Sequence, residues 1–121
     1  MIIAISAKGK NKSDLLDSRF GRCEYFQLLD TENGTIKCIN NEGLETSGGA
    51  GIAAANQIIK ENASVVITGF LGPNAFNIID ASDIEAYKCD TISVEEAIEK
   101  YNKNELEKLN NPGEAHRGMK N

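Results

Sequence analysis

The chain contains one histidine, His116, and no tryptophan. With that histidine in a polar tail, no Ser-His-Asp or Cys-His pair can be assembled, and nucleophilic hydrolysis of that type is excluded. The three cysteines, Cys23, Cys38 and Cys89, are odd in number and form no CxxC. That argues against a disulfide framework or a ready zinc site and leaves free thiols. There is no G-x-x-x-x-G-K-[ST] stretch, so a P-loop nucleotide site is not expected. Apolar runs fall well short of the ~20 residues of a membrane span, and Ile2-Ile3-Ala4-Ile5 begins a strand without the basic region of a signal peptide. A cytoplasmic protein without membrane contact is expected. Basic charge is also scarce: 13 Lys and Arg stand against 18 Asp and Glu, a net charge of −5, which argues against nucleic acid as a partner.

What is present reads as one α/β domain, residues 1–109, followed by a small polar tail, 110–121, that begins at Asn110-Asn111-Pro112-Gly113. Residues 2–7 are nearly all apolar, as in a central strand covered on both faces. A long polar stretch, 8–22, follows, of the kind that is usually functional or mobile in compact domains. Strands are expected over 25–29 and 36–39, joined by Asn33-Gly34, a dipeptide suited to a type I′ hairpin turn. Cys38, mid-strand, is expected in the core. A helix over 48–62, a strand over 64–68, a helix over 73–80, a strand over 84–88 and a helix over 94–101 capped by Ser93 complete an alternating pattern. The segment 105–109 reads as a short helical turn. Right-handed crossovers then give a mixed five-stranded sheet in the order 3-2-1-4-5, strand 2 antiparallel, with helices on both faces.

Two helix starts in this scheme are led by glycine: Thr46-Ser47-Gly48-Gly49-Ala50-Gly51 and Gly69-Phe70-Leu71-Gly72-Pro73-Asn74. Thr46 or Ser47 is suited to cap the first, and Pro73 to the first helical position of the second. Bare helix starts favour anions, because unpaired N–H groups and the helix dipole point the same way. The topology brings both to the carboxyl end of the sheet, where ligands bind in open α/β folds. Arg19, Gly21 and Arg22 join that rim, arginine being suited to multivalent anions, with Cys23 and Cys89 as candidate thiolate ligands for a soft metal. Gly49-Ala50-Gly51-Ile52-Ala53-Ala54 matches the letters of a dinucleotide fingerprint but lacks its tight strand-to-helix turn and its acidic residue, so no nucleotide is expected. The plain alternative is that the glycines only allow close packing.

Ser18-Arg19-Phe20-Gly21-Arg22 with Tyr25-Phe26, then Gly48-Gly49-Ala50-Gly51-Ile52-Ala53, then Gly69-Phe70-Leu71-Gly72-Pro73-Asn74-Ala75-Phe76 resemble, in that order, the dinitrogenase iron-molybdenum cofactor biosynthesis family. That family includes NifX-type carriers and the accessory domain of NifB-type enzymes. The resemblance spans about residues 1–105. It implies a three-layer ribonuclease H-like fold without nuclease activity, in keeping with a first strand that carries no carboxylate. It also implies a non-enzymatic carrier of an iron-sulfur or iron-molybdenum cluster or its precursor, with Arg19, Gly21, Arg22, Ser47, Gly48, Gly49, Gly51, Gly72 and Asn74 at the cofactor site. The expected partners are a cluster donor or acceptor protein, the chain itself being a monomer or weak homodimer. The chain lacks the histidine-rich tail of some relatives. Two rivals remain: an interaction module for an assembly ATPase or synthase, and a small enzyme acting on a phosphorylated metabolite.

Overall fold

The computed structural model describes residues 1–111; the tail beyond Asn111, with His116, lies outside the described residues. Its centre is β1 (Ile2–Ala7), whose alternate side chains feed two separate cores. Ile3, Ile5 and Ala7 point to one face and Ala4 to the other, and all are buried. The apolar run of a doubly covered strand therefore behaves as expected. On one side β1 pairs antiparallel with β2 (Tyr25–Asp30), which pairs antiparallel with β3 (Ile36–Asn40). On the other it pairs parallel with β4 (Ala63–Thr68), which pairs parallel with β5 (Glu85–Lys88).

The helices α1 (Ala50–Lys60) and α2 (Pro73–Ala81) cover one face. There Ala54, Ala55, Ile58, Phe76 and Ile79 meet Phe26, Leu28 and Val66 from the sheet. The third helix, α3 (Val94–Asn102), covers the other face, where Val94 and Ala97 meet Ile3, Ile5, Val65 and Ile67. Ser93 caps α3, accepting from Glu96 N at 3.1 Å, as its sequence position predicts.

Four features differ from the sequence reading. The sheet has six strands, order β3-β2-β1-β4-β5-β6, because the segment read as a helical turn contains β6 (Glu107–Lys108), antiparallel to β5. Leu106 packs on one core, Leu109 packs on the other, and Leu109 N donates to Ala86 O at 2.8 Å. A period-2 arrangement this short is too brief for a strand signal.

The Asn33-Gly34 hairpin forms, but not through a type I′ turn. Only Gly34 has positive φ (74°), while Asp30 and Thr35 close a longer loop by Asp30 N to Thr35 O at 2.9 Å. The side chain of Asn33 is instead occupied, accepting from Thr35 N and Oγ1 at 3.0 and 2.7 Å. Cys38 is half-buried on the edge strand rather than in the core.

The stretch 8–22 is also tied down along its length. Lys8 N donates to Leu15 O, Leu16 N to Ile92 O, Asp17 N to Ser6 O and Val94 N to Asp14 O, all at 2.8–2.9 Å, and Leu16 is fully buried between them. Its backbone groups are satisfied by long-range partners, which local pattern cannot reveal.

The sixth strand generates a stability prediction. Leu106→Ala together with Leu109→Ala should lower unfolding free energy by roughly 1–3 kcal/mol, the lower range for half-buried leucines, read from urea midpoints. An unchanged midpoint would show that β6 adds nothing to the fold.

Candidate functional site

At the carboxyl end of the central strands, three backbone segments approach closely because they carry glycine. A Cβ on Gly21 would lie 2.9 Å from Gly51 N and 3.0 Å from Gly51 Cα, so the Arg19–Cys23 turn rests directly on the first turn of α1. A Cβ on Gly51 would lie 3.2 Å from Ala75 Cβ, which brings the starts of α1 and α2 together. Gly69 meets Ser18 in the same way, at 2.6 Å, beside a bridge between Arg19 and Phe70. These glycines are needed for packing. Gly48, Gly49 and Gly72 are different, since no heavy atom lies closer than 4.0 Å to a Cβ built on any of them. Gly49 alone of the three has a left-handed backbone (φ 70°).

The result is an open groove of about 380 Å³. It is lined by Arg19, Phe20, Gly21 and Arg22, by Gly49 to Ile52 of the α1 start, and by Phe70 and Gly72 to Ala75 of the α2 start. Among the described residues no carboxylate lines it. The sequence reading assigns the α1 cap to Thr46 or Ser47, but the N-cap is Gly49 and no side chain caps it. Thr46 Oγ1 donates to Gly43 O at 2.8 Å instead, because the short 3-10 helix Glu42–Glu45 intervenes. At α2 the N-cap is Gly72, again without a side-chain bond, and Pro73 occupies the first turn. Intrahelical bonding begins with Ala53 N to Gly49 O and Phe76 N to Gly72 O. The N–H groups of Ala50, Gly51, Ile52, Asn74 and Ala75 therefore have no partner among the described residues and all belong to groove residues.

Arg19 is held by a residue that sequence reasoning missed. Asp17 is buried, and its Oδ1 accepts from Arg19 N at 3.0 Å and Nε at 3.2 Å while Oδ2 accepts from Nη2 at 3.3 Å. These bonds raise the Arg19 pKa above its ordinary value. Arg22 is exposed and makes no ion pair among the described residues. Below the groove, Ser6 Oγ donates to Asp17 O at 2.6 Å and lies 2.7 Å from Thr68 Oγ1, joining β1 and β4 to the arginine turn. Asn41 fastens the same turn from the other side. Its Nδ2 donates to Gly21 O at 3.1 Å and Cys23 O at 2.9 Å, and its Oδ1 accepts from Gly43 N at 2.8 Å. An aspartate two residues before an arginine is the one sequence signal that could have found Asp17; nothing local marks Asn41.

The thiols do not share the rim that the sequence reading gives them. Cys23 lies under the groove, fully buried, with its Sγ donating to Phe20 O at 3.3 Å. Burial, together with the nearby Asp17 carboxylate, pushes this thiol up to about 12. Cys89 belongs to the core on the α3 face, 5% exposed, and burial raises its pKa too. The two belong to the cores on opposite faces of the sheet. Among the described residues no three His, Cys, Asp or Glu side chains gather in a way that could hold a metal ion. Ser47 and Gly48 are exposed and outside the groove lining. Arg19, Gly21, Arg22, Gly49, Gly51, Gly72 and Asn74 are brought together in it.

The fold recurs in known proteins. The chain is similar to the apo form of the orange protein from Desulfovibrio gigas, at 30% identity, covering 93% of this chain and 95% of that one, with a TM-score of 0.88. A candidate NifB protein from Thermotoga is 29% identical, with 89% and 92% covered and a TM-score of 0.79. An uncharacterised protein of Methanocaldococcus jannaschii is 33% identical over 97 residues, 78% of this chain and 82% of that one. The family model described as dinitrogenase iron-molybdenum cofactor matches residues 1–104, and the chain belongs to that family.

Proposed function

We propose that the groove carries an anionic iron-sulfur or iron-molybdenum type cluster, or its precursor, in an accessory and non-catalytic role in cluster biogenesis. One observation carries this reading: five backbone N–H groups from two helix starts, unpaired among the described residues, belong to residues that line one open groove with Arg19 and Arg22. Sulfide-rich clusters are anions whose sulfur atoms accept weak hydrogen bonds, so a preformed array of N–H donors and two helix dipoles stabilises them without a covalent ligand. Family membership supports the choice of cargo. The buried and separated thiols favour an electrostatic hold over thiolate ligation by Cys23 or Cys89, since burial disfavours the thiolate form a metal needs.

In this reading the partners are a protein that delivers the cluster and one that accepts it. Ile52, 38% exposed at the groove edge, gives such a partner an apolar contact beside the cargo. The chain acts as a monomer or weak homodimer in the cytoplasm; among the described residues no helix is long and apolar enough to cross a membrane. The layering of α1 and α2 on one face and α3 on the other supports a ribonuclease H-like name for the fold.

Two tests follow. Gly72 has an ordinary backbone (φ −68°) and open space at Cβ, so Gly72→Asp fits without strain and supplies α2 with a capping carboxylate. Stability should hold or rise by up to ~1 kcal/mol, while uptake of an anionic cluster under anaerobic conditions falls about 5- to 30-fold. Retention of cluster by that variant, read from absorbance after desalting, would move the site elsewhere.

The thiols give a pH test. In the unfolded chain a thiol ionises near 9.0, whereas burial pushes folded Cys23 up to about 12. The unfolded state therefore releases protons first, and stability, full below about pH 9, should fall as pH rises from there toward 12. Cys23→Ser should flatten this decline and leave cluster uptake intact. Loss of the charge-transfer absorbance in Cys23→Ser would establish thiolate ligation instead.

A further inference from the structure

Two arginines at a groove suggest two available positive charges, but the structure leaves one. Asp17 spends both carboxylate oxygens on Arg19, taking its backbone N, its Nε and its Nη2. The Asp17 side chain is 5% exposed and that of Arg19 54%, so the carboxylate is fixed beneath while the guanidinium keeps its outer edge toward the groove. The Asp17 backbone is itself locked onto β1, with Asp17 N donating to Ser6 O at 2.9 Å and Ser6 Oγ donating to Asp17 O at 2.6 Å. Arg19 is thus a positioned hydrogen-bond donor whose charge is cancelled, and Arg22 alone supplies net side-chain charge to the groove lining.

We propose that Asp17 sets the charge selectivity of the groove, a role that rests on the groove being the anion site. A compact dianion such as phosphate or sulfate is strongly hydrated, and leaving water requires concentrated opposite charge. A large anion with delocalised charge is weakly hydrated and needs donors more than charge. By cancelling Arg19 while holding its N–H groups in place, Asp17 keeps the donors and removes the field, so abundant small oxyanions are refused. Without Asp17, two arginines and two helix starts would form a general dianion site.

Tungstate and perrhenate are tetrahedral oxyanions of similar size carrying two charges and one, and titration calorimetry of the full chain at fixed ionic strength compares them. Wild-type protein should bind both weakly, with only the tungstate preference that the single charge of Arg22 supplies. Asp17→Asn, checked for folding by thermal melting, should raise the tungstate-to-perrhenate affinity ratio on the order of tenfold, the Coulomb effect of one nearby charge on one unit of ligand charge. Asp17→Asn combined with Arg19→Gln should restore the wild-type ratio while both affinities fall through lost donors. Damage to the groove alone would lower both affinities without moving the ratio. The proposal is overturned by an unchanged ratio in folded Asp17→Asn. It is equally overturned if the double variant loses tungstate preference as far as Arg22→Gln does, and this second comparison decides the matter if the single variant does not fold. Wild-type protein that binds neither anion nor a cluster would remove the groove as an anion site and this role with it. Cluster binding with an unmoved ratio would leave the carrier reading standing and remove Asp17 alone.

Discussion

The candidate site depends on one steric constraint, the contact of Gly21 with the backbone of Gly51. No side chain fits between the arginine turn and the first turn of α1, where a Cβ would stand 2.9 Å from an amide nitrogen. Because the two backbones touch, Arg19 and Arg22 sit, solvent-exposed, at the mouth of a helix start. Since Gly51 also lets Ala75 approach, the second helix start is drawn to the same place. Backbone amides are rigid donors, and collecting five of them in one groove preorganises a site at no cost in side-chain entropy.

That contact is held by buried polar groups as well as by the apolar core, in which Phe20 and Cys23 of the turn are buried. Asn41, 3% exposed, satisfies carbonyls of the arginine turn with its amide nitrogen and the 3-10 turn with its oxygen. Gln57 works similarly one layer back, donating to Asn40 O at 2.6 Å and accepting from Glu42 N at 3.0 Å, which fixes α1 to the end of β3. Each such amide replaces water for two or three backbone groups that the loops could not pair among themselves. Removing one would leave those groups buried and unpaired, a larger loss than the bond itself. The loops around the groove are therefore ordered by polar chemistry added to the burial of Phe20, Cys23 and Leu71, while α1, α2 and α3 are ordered by apolar burial on two faces of the sheet.

The same economy extends to charge. The chain as a whole is acidic, yet among the described residues no carboxylate lines the groove, and Asp17 is turned inward against Arg19. A site that must hold an anionic cluster and later release it benefits from many weak donors instead of a few strong bonds, because each interaction can be exchanged with a partner one at a time. In the proposed function, the buried Cys23 and Cys89 would leave a cluster without a covalent anchor.

Much of the fold was legible in the sequence because it follows from periodicity: the continuous apolar run of β1, the 3.6-residue spacing in α1, α2 and α3, and the alternation that gave the order of the first five strands. The glycine-led helix starts were legible as well, since Pro73 and the bare Gly48-Gly49 carry local conformational meaning. The sixth strand was not, because two residues hold no period and its formation depends on the edge of β5 being free to pair. Nor could sequence separate the packing glycines, Gly21, Gly51 and Gly69, from Gly48, Gly49 and Gly72, which face open space; that distinction lies in neighbours brought from elsewhere in the chain. Cys23 and Cys89 were placed on a common rim because both follow strand ends or turns, and only depth and the face of the sheet each packs on, which are tertiary quantities, put one beneath the groove and the other across the sheet. The sequence determined that two helices would be led by glycine; the tertiary structure decided which donors stay bare and that both starts line one groove, because closeness between distant segments is set by the packing of whole elements.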